Sequence, residues 1–310
     1  MPRLAVRTPN WLGDAVMALP ALASLRRGSP DMILWVHPRT DGFFGAFLPG
    51  LRTVTDPLPT GEGIGSVLLL TDSFRSALAA VRSGIPRRIG RRGQFRGPLL
   101  TDSLEPVPGR SRHHSLDYAE LASAAGAEGP FDLPAPVIEP SGPPHVALLA
   151  GARYGGAKRW PGFRDLASLL RDRLGLPVVL YGTPAERADL LGIADGLPFA
   201  RVETGLRPSG LASALAAARV AVGNDSGGVH LAAALRVPTV TVFGSTSRAW
   251  TAPLGPATVT ATAAEPPGCS PCFRRTCRMA TVPPCLASVS AGEVAELCSD
   301  LLLRAGGTRT

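Results

Sequence analysis

Apolar residues along this chain fall into short runs parted by glycine, proline and polar turns. Residues 4–6, 32–36 and 67–70 are continuous apolar stretches of strand length, whereas 15–27 and 73–83 carry apolar side chains at helical spacing. Strand and helix therefore alternate, which predicts βαβ units and a parallel sheet. A proline-rich passage at 130–144 interrupts the alternation and reads as a linker. Beyond it the pattern resumes, with strands at 145–149, 177–181, 220–222 and 239–243 and helices at 162–173, 184–191, 208–218 and 226–235. A last helix at 291–304 spaces Val294, Leu297, Leu301 and Leu302 along one face. The pattern predicts an α/β chain of two Rossmann-like doubly wound domains, 1–140 and 141–310, with the last helix packing back across the first. Ligands of such sheets bind outside the carboxyl ends of the strands, so a cleft between the two sets of ends is expected.

Within this frame one turn carries the most chemistry. The strand at 220–222 runs into Gly223, Asn224, Asp225, Ser226, Gly227 and Gly228 before the helical pattern resumes. Such a turn offers backbone N–H groups at a helix N-terminus, where unpaired donors and the helix dipole favour a phosphate. Capping by Asp225 or Ser226 is the simpler alternative and needs no ligand. The string DSGG also occurs around the nucleophile of trypsin-like proteases, but those are all-β proteins and this serine opens a helix.

Charge adds a second feature. The chain of 310 residues has a net charge of +8, concentrated in Arg75, Arg82, Arg87, Arg88, Arg91, Arg92, Arg96, Arg110 and Arg112, a stretch whose acids are Asp102 and Glu105. A basic face attracts nucleic acid, anionic headgroups or a phosphorylated glycan. Nucleic acid is disfavoured, since few aromatics interleave with these arginines and no nucleic-acid motif is present. No apolar run is long enough to span a bilayer. The N-terminal stretch reads as strand, turn and helix rather than as a signal peptide, so a cytosolic chain is expected. The first turn, NWLGD, lacks the glycine fingerprint of a dinucleotide oxidoreductase.

Four blocks together resemble a known family. RTPNWLGDAVMALPALASLRR at 7–27, DSFRSALAAVRSGIPRRIGRRGQFRGPLLTD at 72–102, LLAGARYGGAKRWP at 148–161 and NDSGGVHLAAALRVPTVTVFGSTSRAWTAPL at 224–254 are similar, in this order, to the bacterial lipopolysaccharide heptosyltransferases of glycosyltransferase family 9, second branch. The resemblance implies a GT-B architecture, ADP-L-glycero-D-manno-heptose as donor and the phosphorylated inner core of lipopolysaccharide as acceptor. It further implies an inverting, metal-independent transfer, a monomer, and transient contact with the cytoplasmic face of the inner membrane. The absence of an Asp-x-Asp motif beside the turn agrees with independence of metal. Two positions depart from the family pattern: Gly228 stands where a bulkier apolar residue is usual, and Asn10 where serine is common.

By this resemblance Asp14 occupies the position of the general base that takes the acceptor hydroxyl proton, although a helix cap is its ordinary use. Lys158 is expected to meet the charge that builds on the departing diphosphate. Ser226, Gly227 and Gly228 would share that work, while His230 bonds a phosphate or orients Asp225, and Asp225 fixes the turn or contacts the heptose. Thr183 and Glu203 are placed to reach the adenosine. Asn10, Trp11, Arg87, Arg88, Arg91 and Arg92 are expected at the acceptor, guanidinium being suited to bidentate phosphate contacts. Cys269, Cys272, Cys277 and Cys285 have a spacing open to one structural zinc or to redox pairing, but the spacing is irregular and reduced thiols with no cofactor are the favoured reading. Another sugar nucleotide on the same fold, or a non-catalytic anion-binding module, remains the alternative.

Overall fold

The computed structural model describes residues 2–55, 57–58 and 63–306. The chain divides into two compact units between Val137 and Ile138. The first holds a six-stranded parallel sheet of β1 (Arg3–Arg7), β2 (Ile33–Trp35), β3 (Arg52–Val54), β4 (Ile64–Leu69), β5 (Arg87–Arg91) and β6 (Asp102–Leu104), ordered β3-β2-β1-β4-β5-β6. The second repeats the plan with β7 (His145–Leu149), β8 (Val178–Gly182), β9 (Ala200–Thr204), β10 (Ala218–Asn224), β11 (Thr239–Val242) and β12 (Thr258–Ala261), ordered β12-β11-β10-β7-β8-β9. In each sheet the strand order reverses once, between β1 and β4 and between β7 and β10. Those two switch points are where doubly wound folds bind ligands.

Burial explains why the central strands read as unbroken apolar runs. Val146, Leu148, Val220, Val222 and Val240 are wholly buried and meet Phe163, Leu166 and Leu170 of the helix Phe163–Leu174. Each such side chain contributes about 1.5–3 kcal/mol relative to exposure. In the first unit Ala5, Val67, Leu69 and Trp35 play the same part against Ala77 and Ala80 of the helix Phe74–Arg82, which Ser73 caps by accepting from the Ser76 amide.

Three expectations are corrected. The single helix expected at 15–27 is two, Leu12–Met17 and Leu19–Gly28, because Pro20 at the start of the second has no N–H to continue the ladder. The last helix, Ala291–Gly306, packs on its own unit: Val294, Ala295, Cys298 and Leu301 belong to the second core, and Arg173 pairs with Glu296 at 2.6 Å. Strands β3, β5, β6, β9 and β12 and the helix His114–Ala124 add to the elements that hydropathy predicts. No helix among the described residues is long and apolar enough to cross a membrane.

Candidate functional site

The second unit's switch point is built from the ends of β7 and β10. Strand β10 approaches β7 so closely at Gly223 that an added Cβ would lie 2.6 Å from Leu149 Cβ and 2.8 Å from its carbonyl oxygen. Gly228 fits the same constraint, since its Cβ would meet Leu149 Cδ2 at 2.6 Å. The departure at Gly228 thus has a local reason: Leu149 fills the space a larger residue would take. Asn224, fully buried, donates from Nδ2 to the Ala150 carbonyl at 2.7 Å and accepts from the Trp160 amide at 3.0 Å. One side-chain amide therefore clasps both ends of the loop that carries Lys158. Asn224 is not among the residues expected at the site, although a polar residue ending a buried strand signals such a clasp.

Lys158 and Asp225 meet inside this frame. The ammonium donates to Asp225 Oδ2 at 2.7 Å and to its backbone carbonyl at 3.1 Å, with the two side chains 14% and 6% exposed. Thr246 Oγ1 donates to the same Oδ2 at 2.6 Å, and Thr251 lies at 3.4 Å. His230 Nε2 stands 3.6 Å from Oδ1, an electrostatic contact rather than a hydrogen bond. Burial opposes the charge on Asp225, yet His230 and the Lys158 ammonium outweigh it and hold the carboxyl well below the usual carboxylate range. The pair is charged and neutral overall, and Thr246 and Thr251 are further members that the residue pattern alone does not single out.

Ser226 occupies the N-cap position of the helix Gly227–Ala234 and makes no side-chain cap hydrogen bond. Capping, the simpler reading of this turn, is thus not how Asp225 and Ser226 are used: Asp225 faces Lys158 instead. His230 Nδ1 is buried with no hydrogen-bond partner. Thr183 follows β8 and shares its hydroxyl and amide with the Glu186 carboxylate at 2.8 and 2.9 Å in a capping box. Glu203 lies near the end of β9 and pairs with Arg201 at 3.0 Å. Thr183 and Glu203 thus lie at the ends of β8 and β9, on the β7 side of the switch point.

In the first unit the expected residues cluster after β1. Asp14 sits in the first turn of the helix Leu12–Met17, whose N-cap position belongs to Trp11, so Asp14 is not the cap. Trp11 is 49% exposed and carries the Arg39 guanidinium 5.3 Å from its ring centroid. Asn10 accepts from Arg7 at 3.2 Å. Burial above all, then the carboxylates of Asp14, Asp72 and Asp117, push the Tyr118 hydroxyl well above its ordinary value, which puts Asp14 and Asp72 in one electrostatic neighbourhood.

Much of the basic segment is engaged in pairing within the first unit, although only Arg91 and Arg96 of its arginines are buried. Arg87 pairs with Asp102 at 3.0 Å, Arg88 donates to the Ile85 and Leu99 carbonyls, and Arg92 pairs with Glu105 at 2.8 Å. Arg91 is buried, pairing with Glu120 at 2.8 Å and donating to the Glu105 and Asp117 carbonyls. Arg91 is thus a cross-link between β5 and the helix His114–Ala124, which corrects its expected place at the acceptor.

The cysteines at 269, 272, 277 and 285 are unpaired thiols lining one small cavity with Ser245 and Met279. Burial first, then Cys272, Cys277 and Cys269, raise the Cys285 thiol. Among the described residues no three His, Cys, Asp or Glu side chains are arranged to hold a metal ion.

The profile of glycosyltransferase family 9 (heptosyltransferase) matches residues 62–282. Lipopolysaccharide heptosyltransferase 2 of Escherichia coli (strain K12) is 28% identical over 81% of this chain and 85% of its own length. Lipopolysaccharide heptosyltransferase 1 of Pseudomonas aeruginosa PAO1 is 33% identical over 66% of this chain and 55% of its own. The solved structure described as E. coli ADP-heptose lps heptosyltransferase II superposes with a TM-score of 0.81 at 24% identity, covering 98% of this chain and 99% of that one. The paired Rossmann-like units are the GT-B fold, and with the family profile spanning most of the sequence, this chain belongs to glycosyltransferase family 9 and is a glycosyltransferase.

Proposed function

We propose that the enzyme transfers heptose from ADP-L-glycero-D-manno-heptose to the phosphorylated inner core of lipopolysaccharide, with inversion and without a metal. The observation that carries this reading is the Lys158–Asp225 pair at an uncapped helix N-terminus on a topological switch point. The relatives, as lipopolysaccharide heptosyltransferases, supply the sugar and the acceptor class.

In the reaction the Asp14 carboxylate takes the acceptor hydroxyl proton as that oxygen attacks the anomeric carbon from the face opposite the nucleotide. The bond from the anomeric carbon to the phosphate oxygen breaks, and its electron pair leaves with ADP through an oxocarbenium-like state. Backbone N–H groups of Ser226, Gly227 and Gly228 and the Lys158 ammonium stabilise the diphosphate as its charge grows. Asp225 holds the lysine in place, and its depressed ionisation keeps that hold at neutral pH. Trp11 and Arg39 offer an exposed stacking and cationic platform for the acceptor.

A panel of nucleotide sugars with a truncated lipopolysaccharide acceptor tests the proposal by product mass. Heptose addition from the ADP sugar, with the anomeric configuration inverted and no loss in EDTA, is expected. Transfer from another donor alone would replace the substrate assignment and leave the fold-level one standing.

A further inference from the structure

We propose that Arg275 is a second cation of the donor site, gripping the terminal phosphate of the nucleoside diphosphate beside Lys158; this rests on the reading of the Asp225 turn as the donor diphosphate site. Charge is the first ground for it. Lys158 is balanced by Asp225 at 2.7 Å, so the site as folded has no net positive charge from that pair. The departing ADP carries more negative charge than the bound sugar nucleotide, and a helix N-terminus supplies only about half an elementary charge. A further cation is needed close by.

Arg275 is the side chain placed to supply it. Its guanidinium lies 5.5 Å from the Tyr154 ring centroid, and the Lys158 ammonium lies 5.1 Å from the same centroid. One ring thus lies within cation–π reach of both cations, and of the two only Lys158 has a carboxylate partner among the described residues. Arg159, the next residue to Lys158 along the chain, is already paired with Asp189 at 2.6 Å. Among the described residues Arg275 forms no ion pair, and it is exposed.

The backbone fixes this arrangement. The Ala157 amide donates to the Arg275 carbonyl at 3.0 Å, and Tyr154 Oη donates to the Phe273 carbonyl at 2.6 Å. Gly155, at φ +148°, passes so close that an added Cβ would lie 2.3 Å from the Arg275 oxygen. The Phe273 amide in turn donates to the Ser245 carbonyl at 2.7 Å, one residue before Thr246 on Asp225. The cysteine-bearing segment is therefore docked on the lysine loop and the Asp225 turn at once. Its function is to carry Arg275 to the phosphates.

The test compares ADP, AMP and adenosine binding to the full chain by calorimetry, for the wild type, Arg275→Gln and Arg275→Lys. Removing one charge-assisted hydrogen bond to phosphate at a partly solvated site weakens ADP binding by about tenfold. AMP and adenosine should bind Arg275→Gln as they bind the wild type, Arg275→Lys should recover part of the ADP affinity, and thermal unfolding without ligand should not move. Wild-type ADP affinity in Arg275→Gln overturns the inference and leaves the donor site standing. Equal weakening of ADP and AMP also overturns it, because the arginine would then be acting through the loop. A wild type that does not bind ADP removes the donor-site reading and this inference with it.

Discussion

Replacing Lys158 with methionine keeps most of the side-chain volume and removes the charge facing a buried carboxylate. At 2.7 Å the pair's attraction is about 6 kcal/mol at an effective dielectric of about 20, against a desolvation penalty of several kcal/mol per ion. The net coupling expected is about 2–3 kcal/mol, smaller than the loss of about 3–5 kcal/mol when one partner of a buried pair is deleted. The measurement is hydrogen exchange of the β7 and β10 amides in four proteins: wild type, Lys158→Met, Asp225→Asn and the double variant. Those strands report on the unit that holds the pair. The double variant should regain much of the stability that Lys158→Met loses while staying inactive. The sign with pH follows from the depressed Asp225 carboxyl. In the wild type its stabilisation is present above the unfolded value near pH 4 and is lost as pH falls below about 4. In Lys158→Met that contribution is smaller, so the gap between the two proteins should narrow on acidification. A coupling under about 0.5 kcal/mol, or a gap that widens in acid, refutes the account of Asp225 as a charged anchor.

Other consequences are open to direct measurement. Asp14→Asn should cut turnover by about 100-fold or more, the lower end of what a positioned base supplies, and leave ADP affinity unchanged; retained turnover would place the base elsewhere. Arg96 is 0% exposed and donates to Asp72 at 2.9 Å and to the Arg91 and Thr71 carbonyls, so Arg96→Ala should destabilise the first unit by about 3 kcal/mol in urea unfolding, whereas Arg92→Ala, at an exposed pair, should cost under about 1 kcal/mol. A monomer in solution predicts a light-scattering mass near 32.2 kDa, and a multiple of that value would reject it.

Hydropathy exposes the central strands because β1, β7 and β10 are buried over most of their length and β4 over its second half, leaving few polar residues inside the run. The outer strands escape the same reading for reasons that differ by strand. Strand β5, RRIGR, looks like solvated basic loop until Asp102 and Glu120, farther along the chain, are brought to Arg87 and Arg91. Its charges are neutralised by tertiary pairing that no local window contains. Strands β3 and β6 are three residues each and carry too few positions to show a period. At the site, the glycine turn and Lys158 are legible as residue types, since a phosphate site needs N–H donors and a cation. Their mutual contact is not, because Lys158 and Asp225 are 67 residues apart and meet only when β7 and β10 become neighbours.

That neighbourhood also accounts for why the site is assembled from loops rather than from strands. The β7–β10 pairing fixes two loop origins side by side, and Asn224 ties the first loop to the second turn through Ala150 and Trp160. A diphosphate is a flexible anion whose charge moves during transfer, so the groups that meet it must be held at the moment of reaction without being buried beyond reach. An ion pair with Asp225 holds the lysine but also cancels part of its field. In the proposed donor site the helix N-terminus and Arg275 would compensate, one by backbone dipoles and one by a guanidinium within reach of the Tyr154 ring. Losing the Asp225 charge would therefore strengthen the grip on ADP while loosening the geometry, and a transferase that grips its leaving group too well releases it slowly. On the proposed reading of this turn as the donor site, the acid beside the lysine sets that balance.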